Sequence, residues 1–301
     1  LGPKLEILYW HALFAPAGTP DAIVEKLNSA LQEIVADPAV LKSWADTGIA
    51  PYPKDQRGPA AARALLKSEI TTALVRYHYR SGVPVPVVLR GPSGGGVRAS
   101  SFHSTNPEPW LSQAPGLKVI CPAFPSDAKG LLKSAIRDDN PCVFLEHKWI
   151  YRRIKETVSD DPDHLVPIGK ADVKREGTDV SVITHGMLVH LALEAAETLA
   201  TEGIAVEVLD LRTVQPLDEE AILGTVTRTS RAIVLSESQR YLSTAAEVAS
   251  LIAEEAFESL DAPVVRLTPP HVPVPFSPPL EDAYLPQVSD IEDAVRKLSA
   301  W

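Results

Sequence analysis

The sequence predicts an α/β protein, and three observations carry that expectation. From residue 85 onward, short β-branched and apolar runs alternate with longer stretches whose apolar positions recur at helical spacing, the pattern of parallel strands joined by helices. The chain has 301 residues, 45% of them hydrophobic, enough for one large core or two ordinary ones, so more than one domain is expected. The third observation is the stretch VPVVLRGPSGGGVRASSFHS, Val85 to Ser104, where an apolar run empties into a loop with three consecutive glycines. Gly91, Pro92, Ser93 and Gly94 to Gly96 are expected to stop the strand after Leu89 and to permit positive φ. In an open α/β sheet such a loop lies where ligands bind, so Arg90, Ser93, Arg98, His103 and Ser104 are the first candidates for chemistry.

Taken in order, residues 1–73 read as a strand and three helices. Thr19-Pro20-Asp21 starts a helix with Ile23, Leu27, Leu31 and Ile34 along one face; Asp37-Pro38 ends it and starts a second, carrying Val40, Leu41 and Trp44. A proline-rich connector leads to a third helix over 59–70. Residues 106–113 are helical or a turn, 117–121 a strand, 127–137 a helix with Leu131, Leu132 and Ile136 inward, and 143–146 a strand. The polar stretch 150–167 reads as a linker. A second α/β unit follows, with strands at 179–184, 205–210, 232–235 and 264–267 and helices at 188–201, 218–226, 243–260 and 289–298. Its proline-rich loop TPPHVPVPFSPPLEDAYLP is expected to be ordered without secondary structure.

Composition narrows the function classes. A net charge of −10 with no basic cluster argues against nucleic acid and anionic membranes, and favours small-molecule or protein partners. Cys121 and Cys142 lack metal or disulfide spacing and read as buried thiols of a reducing compartment. No apolar run approaches the length of a membrane span, and the opening LGPKLEILYWHALF lacks the order of a signal peptide, so a cytoplasmic location is expected. Neither phosphate-loop spacing surrounds the three glycines, so no phosphate cradle is expected there. His185, His190 and Glu237 are assigned to packing and interfaces, and His271 to the proline loop.

Six stretches carry a resemblance: RYHYRSG, VPVVLRGPSGGG, FHS, GLKVICPAFPSDAKGLLKSAIRDDNPCVFLEHKWIYR, EVLDLRTVQPLDEEAIL and EEAFESLDAPVVRLTPPHVPVPFSPPLEDAYLP. In that order over residues 73–301 the chain resembles the beta subunit of the thiamine-dependent component of 2-oxo acid dehydrogenase complexes, of the pyruvate, branched-chain or acetoin type. The resemblance implies the rear part of a pyrimidine-binding domain with a linker at 74–165, and a complete three-layer domain of the transketolase C-terminal type at 166–301. His103 matches the family's active-site histidine, a group suited to giving a proton to the reacting substrate or to a lipoyl sulfur. Ala135, Asp138 and Asn140 match positions whose oxygens hold a potassium ion. The implied cofactor is thiamine diphosphate with magnesium, held mainly by an alpha subunit. The implied partners are that alpha subunit, a second beta subunit and the dihydrolipoyl acyltransferase core.

Residues 1–73 depart from that pattern and lack the front of the pyrimidine-binding domain, with its activating glutamate. Instead WHALFAPAGTPDAIVEKLNSALQEIVADPAVLKSWADTGIAPYP resembles the C-terminal part of the solute-binding receptors of tripartite tricarboxylate transport systems. The stretch LSESQRYLSTAAEVAS is closer to the branched-chain and acetoin forms than to the glycine-rich pyruvate form, but selects no substrate. The expected function is therefore a beta-subunit fragment, inactive in isolation, in oxidative decarboxylation of a 2-oxo acid with acyl transfer to lipoyl groups. The alternatives are a non-catalytic module that binds the acyltransferase core, and a fragment of a solute-binding protein.

Overall fold

The structure, a computed structural model, describes residues 20–46 and 84–301. The chain divides into two compact units, Leu1–Arg76 and Tyr77–Trp301. In the first, helices α1 (Asp21–Ala36) and α2 (Pro38–Asp46) meet at Asp37. The Asp37 carboxylate accepts from the N–H groups of Ala39 (2.7 Å) and Val40 (3.3 Å), and Pro38 occupies the first position of α2, where no N–H is needed. Ile23, Leu27 and Ile34, on the apolar face of α1, are each about half exposed. The expected first strand and third helix lie outside the described residues.

The second unit holds two sheets. The first runs in the order β1 (Val88–Ser93), β3 (Cys142–His147), β2 (Lys118–Ile120), β7 (Thr213–Gln215). Strand β1 corrects the expected stop at Leu89, because it continues through Gly91 and Pro92. The Val87 and Ser93 carbonyls accept from Cys142 and Lys148, so odd-numbered residues bond to β3 and Pro92 points its missing donor outward. Among the described residues β1 has no neighbour on that side, and Val87 and Leu89 are exposed there. Two short helices, α3 (Ser100–His103) and α4 (Glu108–Ser112), follow β1.

Helix α5 (Pro125–Ile136) covers this sheet, burying Leu131 and Ala135 against Ile120, Cys142, Phe144 and Val166. Gly130 lets it approach, since a Cβ there would stand 2.5 Å from Val166 Cγ2. Ile136, expected inward, is 63% exposed; the inward position one residue earlier belongs to Ala135.

The second sheet runs β4 (Asp172–Arg175), β6 (Val206–Asp210), β5 (Val180–Thr184), β8 (Ala232–Leu235), β9 (Val265–Leu267). All its pairs are parallel except β4 with β6. Strand β5 shows why it forms a middle layer. Val180 and Val182 join the core under helices α6 (Met187–Thr201) and α10 (Val288–Ser299). Ile183 faces the opposite core, under α7 (Glu219–Thr229) and α8 (Thr244–Glu255). Of its two polar residues, Ser181 is satisfied by Thr225 and Thr229 of α7, while the buried Thr184 hydroxyl has no hydrogen-bond partner among the described residues.

The helix expected over 243–260 ends at Glu255 and is followed by a 3-10 turn, Phe257–Ser259. The proline loop, expected without secondary structure, contains helix α9 (Pro278–Tyr284). Neither β4 nor β7 was expected. Strand β7 carries the later half of the chain into the first sheet, and Asp127 of α5 reinforces that junction by accepting from Lys174 and Arg212, each at 2.6 Å.

Ile252→Ala, which empties a fully buried position between α8 and the second sheet, is expected to cost about 2–5 kcal/mol in urea unfolding. Phe257→Ala, at an exposed site, is expected to stay within about 0.5 kcal/mol.

Candidate active site

Strand β1 ends in a loop that turns its N–H groups to one side. Positive φ values recur at Gly94 (82°), Gly96 (71°), Arg98 (61°) and Ser100 (63°). Alternation of this kind makes a concavity of amides that suits an anion. Gly94 is required on a second count, because a Cβ there would lie 1.9 Å from the His147 ring nitrogen Nε2.

The concavity is filled from within the chain. Glu237, just after β8, accepts from Gly95 N–H at 2.5 Å. Glu281, on α9, accepts from Gly96 N–H (3.1 Å), Arg98 N–H (3.0 Å) and the Arg98 guanidinium (3.0 Å). Both carboxylates are buried, Glu281 completely. The second Glu237 oxygen meets His147 Nε2 at 2.6 Å, while Nδ1 of the same ring accepts from Trp149 N–H, which places the ring proton on Nε2. Burial alone would push the Glu237 carboxyl up, but His147, Gly95 and Asn106 hold it down at about 2.

Behind this pair lies a buried polar cluster. Glu108, on α4, accepts from the Ser238 hydroxyl, and burial pushes its carboxyl up to about 7. His185, just after β5, is pushed down to about 4 by burial and is neutral at neutral pH; its Nε2 makes no hydrogen bond and stands 3.9 Å from Glu108. The cavity these groups share with Ser93, Asn106 and Cys121 measures about 10 Å³, far too small for a cofactor. His185 and Glu237 thus sit at a junction, as expected. Glu108, His147 and Glu281 were not singled out by the sequence. The clue that existed was GGG followed by an arginine, a loop of free N–H groups that would need a buried anion.

The sequence candidates separate accordingly. Arg90 pairs with Glu146, Ser93 is buried, Arg98 is held by Glu281 and Asp282, and the Ser104 hydroxyl accepts from Ala99 N–H. His103 ends α3 with an exposed side chain, and no described residue hydrogen-bonds its ring. Ala135 is buried in the last turn of α5. Beyond it, Asp138 is held below the usual carboxylate range: burial opposes this, but the Lys118 ammonium and the Asn140 amides outweigh it. Among the described residues no three His, Cys, Asp or Glu side chains converge on a metal position. Cys121 and Cys142 are buried, and burial raises both thiols, Cys142 to about 11, so neither is a nucleophile.

Residues 67–153 match the pyrimidine-binding domain of transketolase, and residues 169–291 match the transketolase C-terminal domain. Among curated relatives, the 2-oxoisovalerate dehydrogenase subunit beta of Bacillus subtilis is 45% identical over 230 residues, covering 76% of this chain and 70% of that one. The chain belongs to the beta subunits of the 2-oxo acid dehydrogenases. Other members of this dehydrogenase family are nearly as similar. The pyruvate dehydrogenase E1 component subunit beta of Bacillus subtilis is 46% identical, covering 76% of this chain and 70% of that one. The acetoin:2,6-dichlorophenolindophenol oxidoreductase subunit beta of Cupriavidus necator is 44% identical, covering 75% and 66%. Three named substrates within two percentage points select none of them.

A solved structure described as a split-gene transketolase, inactive beta4 tetramer, shares the fold, with a TM-score of 0.61, 23% identity, and coverage of 80% of this chain and 72% of that one. Residues 2–63 match a different family, the tripartite tricarboxylate transporter family receptor. The stretch that matches the pyrimidine-binding domain therefore starts just after the receptor-like one, and the family of oxidoreductase subunits to which the chain belongs depends on thiamine diphosphate.

Glu108 gives a pH signature. Between its ordinary 4.5 and the folded value of about 7, the folded chain keeps a proton that the unfolded chain has released, so stability falls as pH rises through that window. Glu108→Gln is expected to remove up to about 3 kcal/mol of this decline, read from urea unfolding between pH 4.5 and 7.5. Asp210, which burial also raises to about 7, adds to the decline, while His185, lowered from 6.5 to about 4, opposes it below pH 6.5, and both act alike in the two proteins. Parallel curves for the two proteins would contradict the assignment.

Proposed function

We propose that the chain, paired with an alpha subunit, forms the part of a thiamine-dependent 2-oxo acid dehydrogenase that presents His103 to the reacting substrate. The observation that supports this most is the end of the glycine loop, where His103 is exposed while Arg90, Arg98 and Ser104 are engaged by the chain itself. Thiamine diphosphate, when bound, would supply the electron sink that loss of carbon dioxide requires. The His103 ring then gives a proton at a nitrogen to the reacting substrate or to the lipoyl sulfur, as imidazoles do near neutral pH.

The diphosphate and its magnesium are assigned to the alpha subunit, because the one amide concavity described here already holds Glu237 and Glu281. A potassium ion at Ala135, Asp138 and Asn140 would rest on main-chain carbonyls, since Lys118 and Asn140 occupy the Asp138 carboxylate. Hard oxygen donors at a helix C-terminus fit such an ion. A second beta subunit and the dihydrolipoyl acyltransferase core complete the proposed partners.

The test combines the full chain with an alpha subunit, thiamine diphosphate and magnesium, and follows dichlorophenolindophenol reduction with pyruvate, 2-oxoisovalerate and acetoin. His103→Ala is expected to lower kcat by about 10²–10⁴-fold on the accepted substrate. Unchanged turnover would remove His103 from the reacting groups. Binding to an acyltransferase's subunit-binding domain without any turnover would favour the assembly role, which the complete three-layer second sheet also supports.

A further inference from the structure

We propose that Glu281 is a positioning residue: seated in the amide concavity of the glycine loop, it fixes the backbone of residues 96–98 and thereby the place of His103. The importance of that place rests on the proposed role of His103; the geometry of the loop does not.

Four observations carry the inference. Glu281 is fully buried, and both its oxygens are spent on the loop, one on Gly96 N–H and one on the backbone and side chain of Arg98. A fully buried carboxylate needs those donors, which are themselves partly buried beside it. Second, the loop conformation is costly by itself, because Arg98 and Ser100 hold positive φ without being glycine. An external restraint must therefore hold it, and Glu281 provides it from about 180 residues further along the chain. Third, Arg98 is locked along its length, by the Pro278 carbonyl (3.1 Å) and by Asp282 (2.6 Å) as well as by Glu281.

Fourth, little slack separates Arg98 from His103. Ala99 N–H donates to the Ser104 hydroxyl at 3.2 Å, and Gly94 N–H donates to the Thr105 carbonyl at 3.1 Å. Ser104 N–H returns to the Ser100 carbonyl at 2.8 Å. The single turn of α3 is thus closed on itself, and Arg98, which Glu281 grips, stands two residues before its first residue, Ser100. Glu237 holds Gly95 in the same way but also serves His147, so it reports on two contacts at once. Glu281 isolates the loop.

The experiment uses the full chain with histidine ring nitrogens labelled, as wild type, Glu281→Gln, Glu281→Asp and Arg98→Ala. By nuclear magnetic resonance of the chain alone, Glu281→Gln is expected to shift or broaden the His103 ring signals while those of His164 stay in place. With the alpha subunit, kcat is expected to fall at least about tenfold with KM changed less than about twofold, and Glu281→Asp to recover part of the loss. Should Glu281→Gln fail to fold, Arg98→Ala, which removes the reciprocal partner at a partly exposed side chain, is expected to give the same His103 shift. Lower thermal stability in folded variants with His103 signals unmoved would overturn the proposal. Absence of turnover in the wild type would count against the proposed function, while the His103 signals would still decide the positioning claim.

Discussion

Two buried carboxylates inside a ring of backbone N–H groups are the contact on which this molecule turns. Glu237 follows β8 of the second sheet and Glu281 lies on α9, while Gly95, Gly96 and Arg98 come from the loop that leaves the first sheet. Hydrogen bonds to a charged partner contribute about 1.5–3 kcal/mol each. The larger effect lies in the alternative: a loop that shifted while Glu237 and Glu281 stayed buried would leave two carboxylates without their donors. The loop and its partners are therefore a single unit, and the two sheets cannot slide against one another without breaking it.

The same contact closes a crevice of the second sheet. In the second sheet, β5 is followed by β6 on one side, and the chain then crosses to β8 on the other, so the ends of β5 and β8 flank a switch point where α/β folds bind ligands. Here that crevice is packed with protein. His185 after β5, and Glu237 and Ser238 after β8, face Glu108 and His147 supplied by the first half of the unit. Perturbed acids and a neutral histidine in a cleft would ordinarily suggest a catalytic centre. Here they surround a cavity of about 10 Å³ and bind one another across the junction of the two halves.

Much of this was legible in the sequence, for identifiable reasons. Runs such as Val180 to Thr184 and Ala232 to Leu235 are buried on both faces, so continuous apolar composition located them within one residue. Asp37-Pro38 marked the boundary between α1 and α2 because capping and the missing proline donor are local effects. Strands β4 and β7 were missed because DVKR and TVQ carry almost no apolar signal; long-range pairing with β6 and β2 makes them strands. Pro92 was read as a breaker because nothing in the sequence says that β1 turns that residue away from β3. His103 was reached through a motif, whereas Glu281 was not, since nothing about PPLEDAY announces that its glutamate lies under a loop some 180 residues earlier.

The account stands most directly on the protection of the loop amides. Hydrogen exchange of the unmodified chain, resolved at Gly95, Gly96 and Arg98, is the decisive measurement. If Glu237 and Glu281 occupy the concavity, those three N–H groups exchange as slowly as the core strands β3 and β8, because opening them requires separating the two halves of the unit. Exchange at the rate of an ordinary surface loop, with β3 and β8 protected, would contradict it.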